Sequence, residues 1–265
     1  MANRVYFFTG TGNSLRVARS IAGALDDCEV IAIHKGAAST VPESLERVGF
    51  VFPVYFWGLP GMAAEFLRGI SLPEQGGTYY FAVATFGGII GNALPQVKRL
   101  LADKGITLNY GGGVCSYRNA VVYYEMKQDV EAVTRKAEAR AQKVVSAVVA
   151  KKKKRVGRGI KKIFQLNADN IAAFHAMALH YTISGDCVGC GLCASVCPAE
   201  NILFQDGKPV FGDACEYCLA CIQHCPKRAI NDGDKTVTRG RYTHPNVTAD
   251  MIACYYKSNN ETHES

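Results

Sequence analysis

The chain has 265 residues, 48% of them hydrophobic and 20% charged, and carries a formal net charge of +7. These proportions are typical of a globular protein large enough for two domains, and they exclude an intrinsically disordered chain. The first residues lack an apolar signal core, and the most apolar stretch, 49–67, is interrupted by Pro53, Pro60 and Glu65. We therefore expect a cytoplasmic protein without a membrane span.

Residues 1–150 alternate short apolar runs with longer segments of helical periodicity, a pattern that predicts a parallel sheet covered by helices. The predicted strands are 4–9, 29–33, 48–52, 79–85 and 108–114. The predicted helices are 13–25, 61–68, 89–104 and 130–150. We expect an α/β domain with a doubly wound five-stranded parallel sheet of order 2-1-3-4-5. Such a sheet binds ligands at the carboxyl ends of its strands, here in the turns after strands one, three and four.

The turn after strand one has the composition of a phosphate-binding loop and leads directly into a predicted helix. Its residues are Thr9, Gly10, Thr11, Gly12, Asn13 and Ser14. Hydroxyls and the amides of a helix start bind phosphate oxygens, and glycines let the backbone approach them. A nucleotide triphosphatase loop would need a lysine near its end, and a dinucleotide fingerprint would need a third glycine where Leu15 stands. A turn that only caps the helix remains the alternative.

The turns after strands three and four combine aromatic residues with glycines. The candidate residues are Tyr55, Phe56, Trp57 and Gly58 in the first turn, and Thr85, Phe86, Gly87 and Gly88 in the second. Aromatic side chains stack on flat conjugated rings. Because all three turns fall on one edge of the predicted sheet, together they predict a bound cofactor with a phosphate and a flat ring.

A basic and then partly apolar segment, 151–179, follows the first domain. Its first twelve residues include eight basic and no acidic ones. A solvated surface is the simplest interpretation, and a docking site for an acidic partner or a counter-charge for the acidic stretch 185–232 is the sharper hypothesis. Further along, Ile171, Phe174, Ala178 and Tyr181 have helical spacing, which predicts a helix that packs one domain on the other.

Two copies of a Cys-x-x-Cys-x-x-Cys-x-x-x-Cys-Pro run predict iron–sulfur clusters. The cysteines are Cys187, Cys190, Cys193 and Cys197 in the first run, and Cys215, Cys218, Cys221 and Cys225 in the second. In such runs three cysteines hold one [4Fe–4S] cluster and the fourth ligates the neighbouring cluster. We therefore assign Cys225 to the cluster of the first run and Cys197 to the cluster of the second. A zinc site is the alternative, but it needs only four ligands.

Bound clusters would lower the net positive charge of the protein and so weaken the case for a nucleic-acid partner. A [4Fe–4S] core with four thiolates carries about −2, so two clusters would lower the net charge to about +3. No nucleic-acid-binding motif accompanies the basic residues. We therefore expect neither nucleic acid nor a membrane among the partners, and the oligomeric state is not predicted.

Residues 1–150 resemble a flavodoxin, and residues 180–232 resemble a bacterial two-cluster ferredoxin, which is a small α+β domain. The whole chain resembles the flavodoxin–ferredoxin fusion proteins of anaerobes, with 233–265 as a C-terminal extension. The resemblance implies FMN with its phosphate on the Thr9–Ser14 loop, and two [4Fe–4S] clusters. It implies Tyr55, Trp57 and Phe86 as stacking residues, with Tyr117 as a further candidate.

The expected function is electron transfer between the two clusters and FMN, to or from another redox protein in anaerobic metabolism. Each cluster carries one electron and the flavin one or two, so the pair could convert single electrons to paired ones. In this hypothesis Gly58 would let its peptide turn over when a flavin nitrogen gains a proton. The alternative is an FMN-dependent reductase of a small quinone or enoate, fed by its own clusters.

Overall fold

The computed structural model describes residues 2–37, 41–42, 44–74, 76–161, 175 and 177–257. The first half contains β1 (Asn3–Phe7), α1 (Asn13–Ala22), β2 (Cys28–Ala32), β3 (Arg47–Pro53), α2 (Gly61–Gly69), β4 (Tyr79–Phe86), α3 (Ala93–Ala102), β5 (Tyr110–Cys115) and α4 (Val130–Val149). The second half contains a 3-10 turn (Met177–His180), β6 (Tyr181–Ile183), α5 (Leu192–Ser195), β7 (Ile202–Gln205), β8 (Lys208–Phe211), α6 (Ala220–His224), β9 (Ile230–Asp232), a second 3-10 turn (Gly233–Thr236) and α7 (Ala249–Lys257). Within these ranges no helix has both the length and the apolarity that crossing a membrane requires.

The five strands of the first half form one parallel sheet of order β2-β1-β3-β4-β5, which confirms the predicted fold class. At the ends of the central strands, Phe7 lies beside Ala32 and Val51, and Pro53 lies beside Thr85. The carboxyl ends of the strands therefore meet along one edge, with the reversal of strand order between β1 and β3. We call this the carboxyl edge.

Both faces of the sheet are buried, which explains why β1, β3 and β4 are almost continuously apolar. On one face, Phe7 and Val51 pack with the buried sides of α1 and α4. The same cluster includes Val247 and Ile252, so the C-terminal extension completes the core of the first half. The other face is covered by α2 and α3.

The small domain has two antiparallel pairs, β6 with β9 and β7 with β8, together with the short helices α5 and α6. This α+β arrangement confirms the predicted second domain. Its core contains Ile222 and Ile230, and also Val121 and Val122 from the loop after β5. The two halves of the chain therefore share buried contacts.

Helix α3 begins at Ala93, four residues later than the sequence predicts. The reason is a turn in which Gly91 has a left-handed φ of 56° and the amide of Asn92 donates to the carbonyl of Trp57 at 2.6 Å. The turn ties the segment after β4 to the segment after β3.

The helical spacing predicted through Ile171 and Phe174 falls on residues outside the described ranges. Ala178 lies in the first 3-10 turn and Tyr181 begins β6, so a continuous helix does not reach either of them. Both side chains are nevertheless buried in the core of the small domain.

The start of the basic segment runs along β5. The amide of Lys154 donates to the carbonyl of Asn109 at 2.9 Å, and Lys154 forms a parallel bridge with Tyr110. Lys151 forms an ion pair with Glu46 at 3.1 Å. Over the described part of the chain, no ion pair joins this run to 185–232, so the counter-charge hypothesis gains no support.

Gly49 in β3 tests how tightly the sheet is packed. A Cβ atom at this position would overlap the ring of Phe81, its partner on β4. We expect Gly49→Ala to destabilise the fold by about 1–3 kcal/mol through overpacking, measured as a lower midpoint of thermal unfolding. Gly69→Ala is the matched control, because a Cβ there meets nothing within 4 Å. An unchanged midpoint for Gly49→Ala would contradict the tight contact.

Candidate cofactor and metal site

The eight cysteines of the two runs line two separate cavities, and each cavity takes three cysteines from one run and one from the other. The outer cavity is lined by Cys187, Cys190, Cys193 and Cys225. The inner cavity is lined by Cys197, Cys215, Cys218 and Cys221. The structure thus brings the cysteines together in the interleaved sets that the Cys-Pro spacing suggests.

The number and grouping of the cysteines distinguish the two kinds of metal site. In the part of the chain that is described, no group of three or more His, Cys, Asp or Glu side chains is arranged to hold a single metal ion. Two crossed sets of four cysteines match a pair of iron–sulfur clusters better than the single zinc ion of the alternative hypothesis.

The backbone around the two cavities repeats with an offset of 28 residues. Gly189 and Gly191 in the first run have left-handed φ angles of 67° and 77°, and Tyr217 and Leu219 in the second have 50° and 61°. Left-handed backbone is costly for residues other than glycine, and it persists where the surrounding structure requires it. Here it folds each three-cysteine loop around its cavity.

The fourth cysteines are held in matching ways. The amide of Asn201 donates to Sγ of Cys197 at 3.4 Å, and the amide of Ala229, 28 residues later, donates to Sγ of Cys225 at 3.2 Å. Hydrogen bonds to sulfur are one of the means by which a protein sets the reduction potential of a cluster.

Burial favours the protonated form of four of these thiols, those of Cys193, Cys215, Cys218 and Cys221. Desolvation raises the pKa of Cys193 and of Cys215 to about 11, and it raises the pKa of Cys218 and of Cys221 well above the usual range. A thiolate in these positions therefore needs a positive centre, and metal coordination deprotonates a thiol outright. The cysteines of the inner cavity in particular need such a centre to ionise.

The loop Thr9–Ser14 lies at the carboxyl edge and is almost fully buried. Its hydroxyls are ordered by neighbouring groups. Oγ1 of Thr9 accepts from the amide of Gly12 at 3.1 Å, and Oγ1 of Thr11 accepts from Nδ2 of Asn119 at 2.5 Å. Oγ of Ser14 lies 2.8 Å from Oγ1 of Thr85, which connects the loop to the turn after β4.

The donors of this loop fit a phosphate group. Because the hydroxyls of Thr9 and Thr11 accept hydrogen bonds, each still has its own hydrogen to donate. The amides of Gly10, Thr11 and Asn13 make no hydrogen bond to any residue that the structure describes. Buried donors without acceptors are costly, and an anion at a helix start would satisfy them.

The C-terminal extension covers the loop, a role that the sequence did not suggest. The hydroxyl of Tyr242 donates to Oδ1 of Asn13 at 2.8 Å, and the amide of His244 donates to the carbonyl of Thr11 at 2.8 Å. The hydroxyl of Tyr256 donates to the carbonyl of Thr9 at 3.1 Å. The sequence did contain one indication of this role, because the C-terminal extension carries several tyrosines before its polar terminus.

The two loop glycines are required by protein contacts. A Cβ atom at Gly10 would overlap the carbonyl oxygen of Cys218, and one at Gly12 would lie 2.8 Å from Cβ of Val247. Gly12 also has a left-handed φ of 94°. Sequence reasoning assigned these glycines to close approach by a phosphate, whereas the atoms that lie against them belong to the second half of the chain.

The aromatic candidates are divided between exposed and occupied positions. Trp57 is 43% exposed, and Phe86 is half-buried against Gly113. Tyr117 stacks on Tyr242, with ring centroids 4.0 Å apart and an angle of 4° between the planes. One face of the Tyr117 ring is therefore used by the protein itself.

Phe56 and Tyr55 also contact protein rings. Phe56 stacks on Tyr217 of the second cysteine run at 6.3 Å, and Tyr55 meets Phe8 edge-on at 6.1 Å. Trp57 and Phe86 thus remain the aromatic residues of these two turns best able to receive a flat ring.

The peptide between Trp57 and Gly58 is held at both ends. The carbonyl of Trp57 accepts from Asn92 at 2.6 Å, and the amide of Gly58 donates to the carbonyl of Tyr55 at 2.9 Å. Turning this peptide over would break both bonds. The geometry therefore disfavours the peptide flip that the glycine suggested.

In the turn after β4, Gly87 and Gly88 lie beside Arg118. A Cβ atom at Gly87 would come 2.6 Å from Cα of Arg118, whereas Gly88 is exposed. Gly87 is thus required by packing against the loop after β5.

Comparison with protein families finds that residues 180–226 match the 4Fe-4S dicluster domain. Comparison with curated proteins finds no match.

Several solved structures show a weak likeness to part of the chain. Rubredoxin oxygen:oxidoreductase of the anaerobe Desulfovibrio gigas is 15% identical with a TM-score of 0.40, and the match covers 57% of this chain and 36% of that one. A flavodoxin of Streptococcus pneumoniae TIGR4 is 17% identical with a TM-score of 0.38, and the match covers 57% of this chain and 99% of that one. An FMN-dependent NADH-azoreductase of Bacillus anthracis, solved with FMN, is 10% identical with a TM-score of 0.40, and the match covers 56% of this chain and 100% of that one. Likenesses this weak carry no argument about chemistry.

The first half has the strand order 2-1-3-4-5 of a flavodoxin-like sheet, and residues 180–226 of the second half match the 4Fe-4S dicluster domain. The chain joins a flavodoxin-like α/β domain to a 4Fe-4S dicluster domain, as a flavodoxin–ferredoxin fusion does.

Proposed function

We propose that the protein is an electron-transfer flavoprotein that binds one FMN at the carboxyl edge and two [4Fe–4S] clusters in the cysteine-lined cavities. The observation that carries the proposal is the position of the inner cavity, whose Cys218 abuts Gly10 of the phosphate-type loop. Centres that exchange electrons must lie close together, and this contact brings the two kinds of site together within one chain.

In this proposal the loop Thr9–Ser14 holds the FMN phosphate through its free amides and the hydroxyls of Thr9 and Thr11. Trp57 and Phe86 flank the ring. Bound FMN would supply a centre that takes one or two electrons, while each cluster passes one at a time. The protein would then serve a redox partner protein, in either direction, in the reduced cytoplasm of an anaerobe.

The exposed basic residues of the segment after α4 suit an acidic partner. The side chains of Lys152, Lys153, Lys154 and Arg155 are exposed. The backbone of this run is held where the amide of Lys152 donates to the carbonyl of Ala147 and the amide of Lys154 donates to the carbonyl of Asn109. Fixed exposed charges steer association more than they add affinity, so this surface would act on the rate of encounter.

The cofactor content tests the proposal directly. After anaerobic purification we expect about eight irons and one FMN per chain, by iron analysis and by the spectrum of the released flavin. Folded protein that contains neither would overturn the proposal. Steady turnover of a quinone or enoate with a soluble reductant and no partner protein would favour the reductase alternative instead.

The crossed ligand sets give a second prediction. In Cys225→Ser we expect the iron content to fall by about half, because the outer cavity loses its fourth ligand. Alkylation followed by mass spectrometry should then modify Cys187, Cys190 and Cys193 and leave Cys215, Cys218 and Cys221 protected. Modification of the second set alone would show that the ligands are not crossed. Cys254→Ser, which changes an exposed cysteine outside both cavities, is the control.

The covering extension gives a third prediction. Tyr242→Phe keeps the ring on Tyr117 but removes the hydrogen bond to Asn13. A hydrogen bond of this kind contributes about 1 kcal/mol, so we expect FMN affinity to fall about fivefold with the iron content unchanged. Tyr124→Phe, at an exposed ring, should leave the affinity unchanged. Equal affinities in the Tyr242 variant and the parent would show that the extension does not support the phosphate loop.

A further inference from the structure

The two cysteine-lined cavities differ in their distance from the carboxyl edge. The inner cavity lies directly on it. The carbonyl of Cys218 abuts Gly10 in the turn after β1, and the half-buried Cys218 packs against the cores on both faces of the sheet. Tyr256, whose hydroxyl donates to the carbonyl of Thr9, belongs to the core cluster against which Cys218 packs.

Two more lining residues of the inner cavity contact the same edge. The carbonyl of Pro198 accepts from the amide of Lys35, after β2, at 2.8 Å. Oε2 of Glu216 accepts from the amide of Met62, at the start of α2, at 2.9 Å. The inner cavity is therefore attached to the turns after three strands of the sheet.

The outer cavity has a different environment. All its lining residues belong to the small domain, within 187–230. Cys190 is exposed, and the neighbouring Val188 is 62% exposed. This cavity thus opens to solvent.

The two cavities are neighbours. Cys193 of the outer cavity and Cys221 of the inner cavity belong to the same core of the small domain, and the helices α5 and α6 that carry them pack against each other. The crossed positions of Cys197 and Cys225 connect the same two cavities through the chain. The order from solvent inwards is therefore the outer cavity with the exposed Cys190, the inner cavity, and the loop at Gly10.

We infer that the two clusters are not equivalent and that electrons pass through them in a fixed order. This inference rests on the proposed function. The outer cluster exchanges single electrons with a one-electron carrier protein, and the inner cluster exchanges them with the flavin. In the reducing direction, each step oxidises one centre and reduces the next by one electron. Two such passages give the flavin two electrons, with the accompanying protons taken from solvent, and leave two carrier proteins oxidised.

The ³¹P NMR signal of bound FMN in the fully reduced protein tests the order, because a reduced [4Fe–4S] cluster is paramagnetic and broadens the phosphate line steeply with proximity. We use the holoprotein and compare Cys190→Ala, which removes a ligand of the outer cluster, with Cys221→Ala, which removes a ligand of the inner one. We expect the line to stay broad in Cys190→Ala and to sharpen in Cys221→Ala. Sharpening in Cys190→Ala alone, or equally in both variants, would overturn the order.

A second variant keeps the test decisive if a ligand replacement loses both clusters. Val188→Asp places a negative charge beside the outer cavity and should lower the potential of the outer cluster. During a reductive titration we expect the reduction potential of one cluster to be lower than in the parent protein, while the potential at which the ³¹P line changes stays constant. Val237→Asp, 55% exposed and outside the lining of both cavities, should move neither. A ³¹P transition that moves with Val188→Asp would overturn the order.

These outcomes separate the two proposals. A purified protein that releases no FMN or contains no iron contradicts the proposed function itself. A protein that carries both cofactors but shows the opposite pattern contradicts only the order of the clusters.

Discussion

At Gly10 the loop of the flavodoxin-like domain and the cysteine loop of the dicluster domain come so close that no Cβ atom fits between them. This contact determines how the rest of the molecule is arranged. It requires the inner cavity to sit on the carboxyl edge, and it turns the outer cavity towards solvent. Nε2 of His224 donates to the carbonyl of Gly10 at 3.2 Å, so a second residue of the dicluster domain fixes the same loop.

Burial at this contact also defines the electrostatics of the site. The loop contributes amide and hydroxyl donors. Tyr242, His244 and Tyr256 of the covering extension donate hydrogen bonds to oxygen atoms of the loop, so they leave its amide donors available. Desolvation lowers the pKa of His244 and of His224, so both rings favour the neutral form near the loop. The positive character of the loop therefore comes from the backbone and the start of α1, which suits a phosphate at a helix N-terminus.

Much of the fold was predictable from local sequence. The central strands are apolar on both faces, so their continuous hydrophobic runs identified them, and the strand order followed from the flavodoxin-like pattern. The grouping of the cysteines was predictable because the proline after the fourth cysteine directs it to the neighbouring cavity. The start of α3 was not predictable, because the turn at Gly91 depends on the hydrogen bond from Asn92 to the carbonyl of Trp57, more than thirty residues earlier.

The candidate site was only partly predictable. The loop Thr9–Ser14 carries its own signature, whereas Tyr242 and Tyr256 reach it from more than 200 residues away and have no motif of their own. The aromatic turns were identified by composition, which does not reveal that Tyr117 and Phe56 stack on Tyr242 and Tyr217. The role of the loop glycines was equally ambiguous, because glycine is required whether a protein atom or a phosphate lies close to the backbone.

An anomalous difference map at the iron absorption edge, from crystals of the anaerobically prepared holoprotein, would locate the irons and the flavin phosphate together. We expect four-iron peaks in both the outer and the inner cavity, the inner one beside Gly10, and phosphate density over the amides of Thr11 and Asn13. Iron outside these cavities, or a flavin phosphate bound away from Thr9–Ser14, would contradict this arrangement.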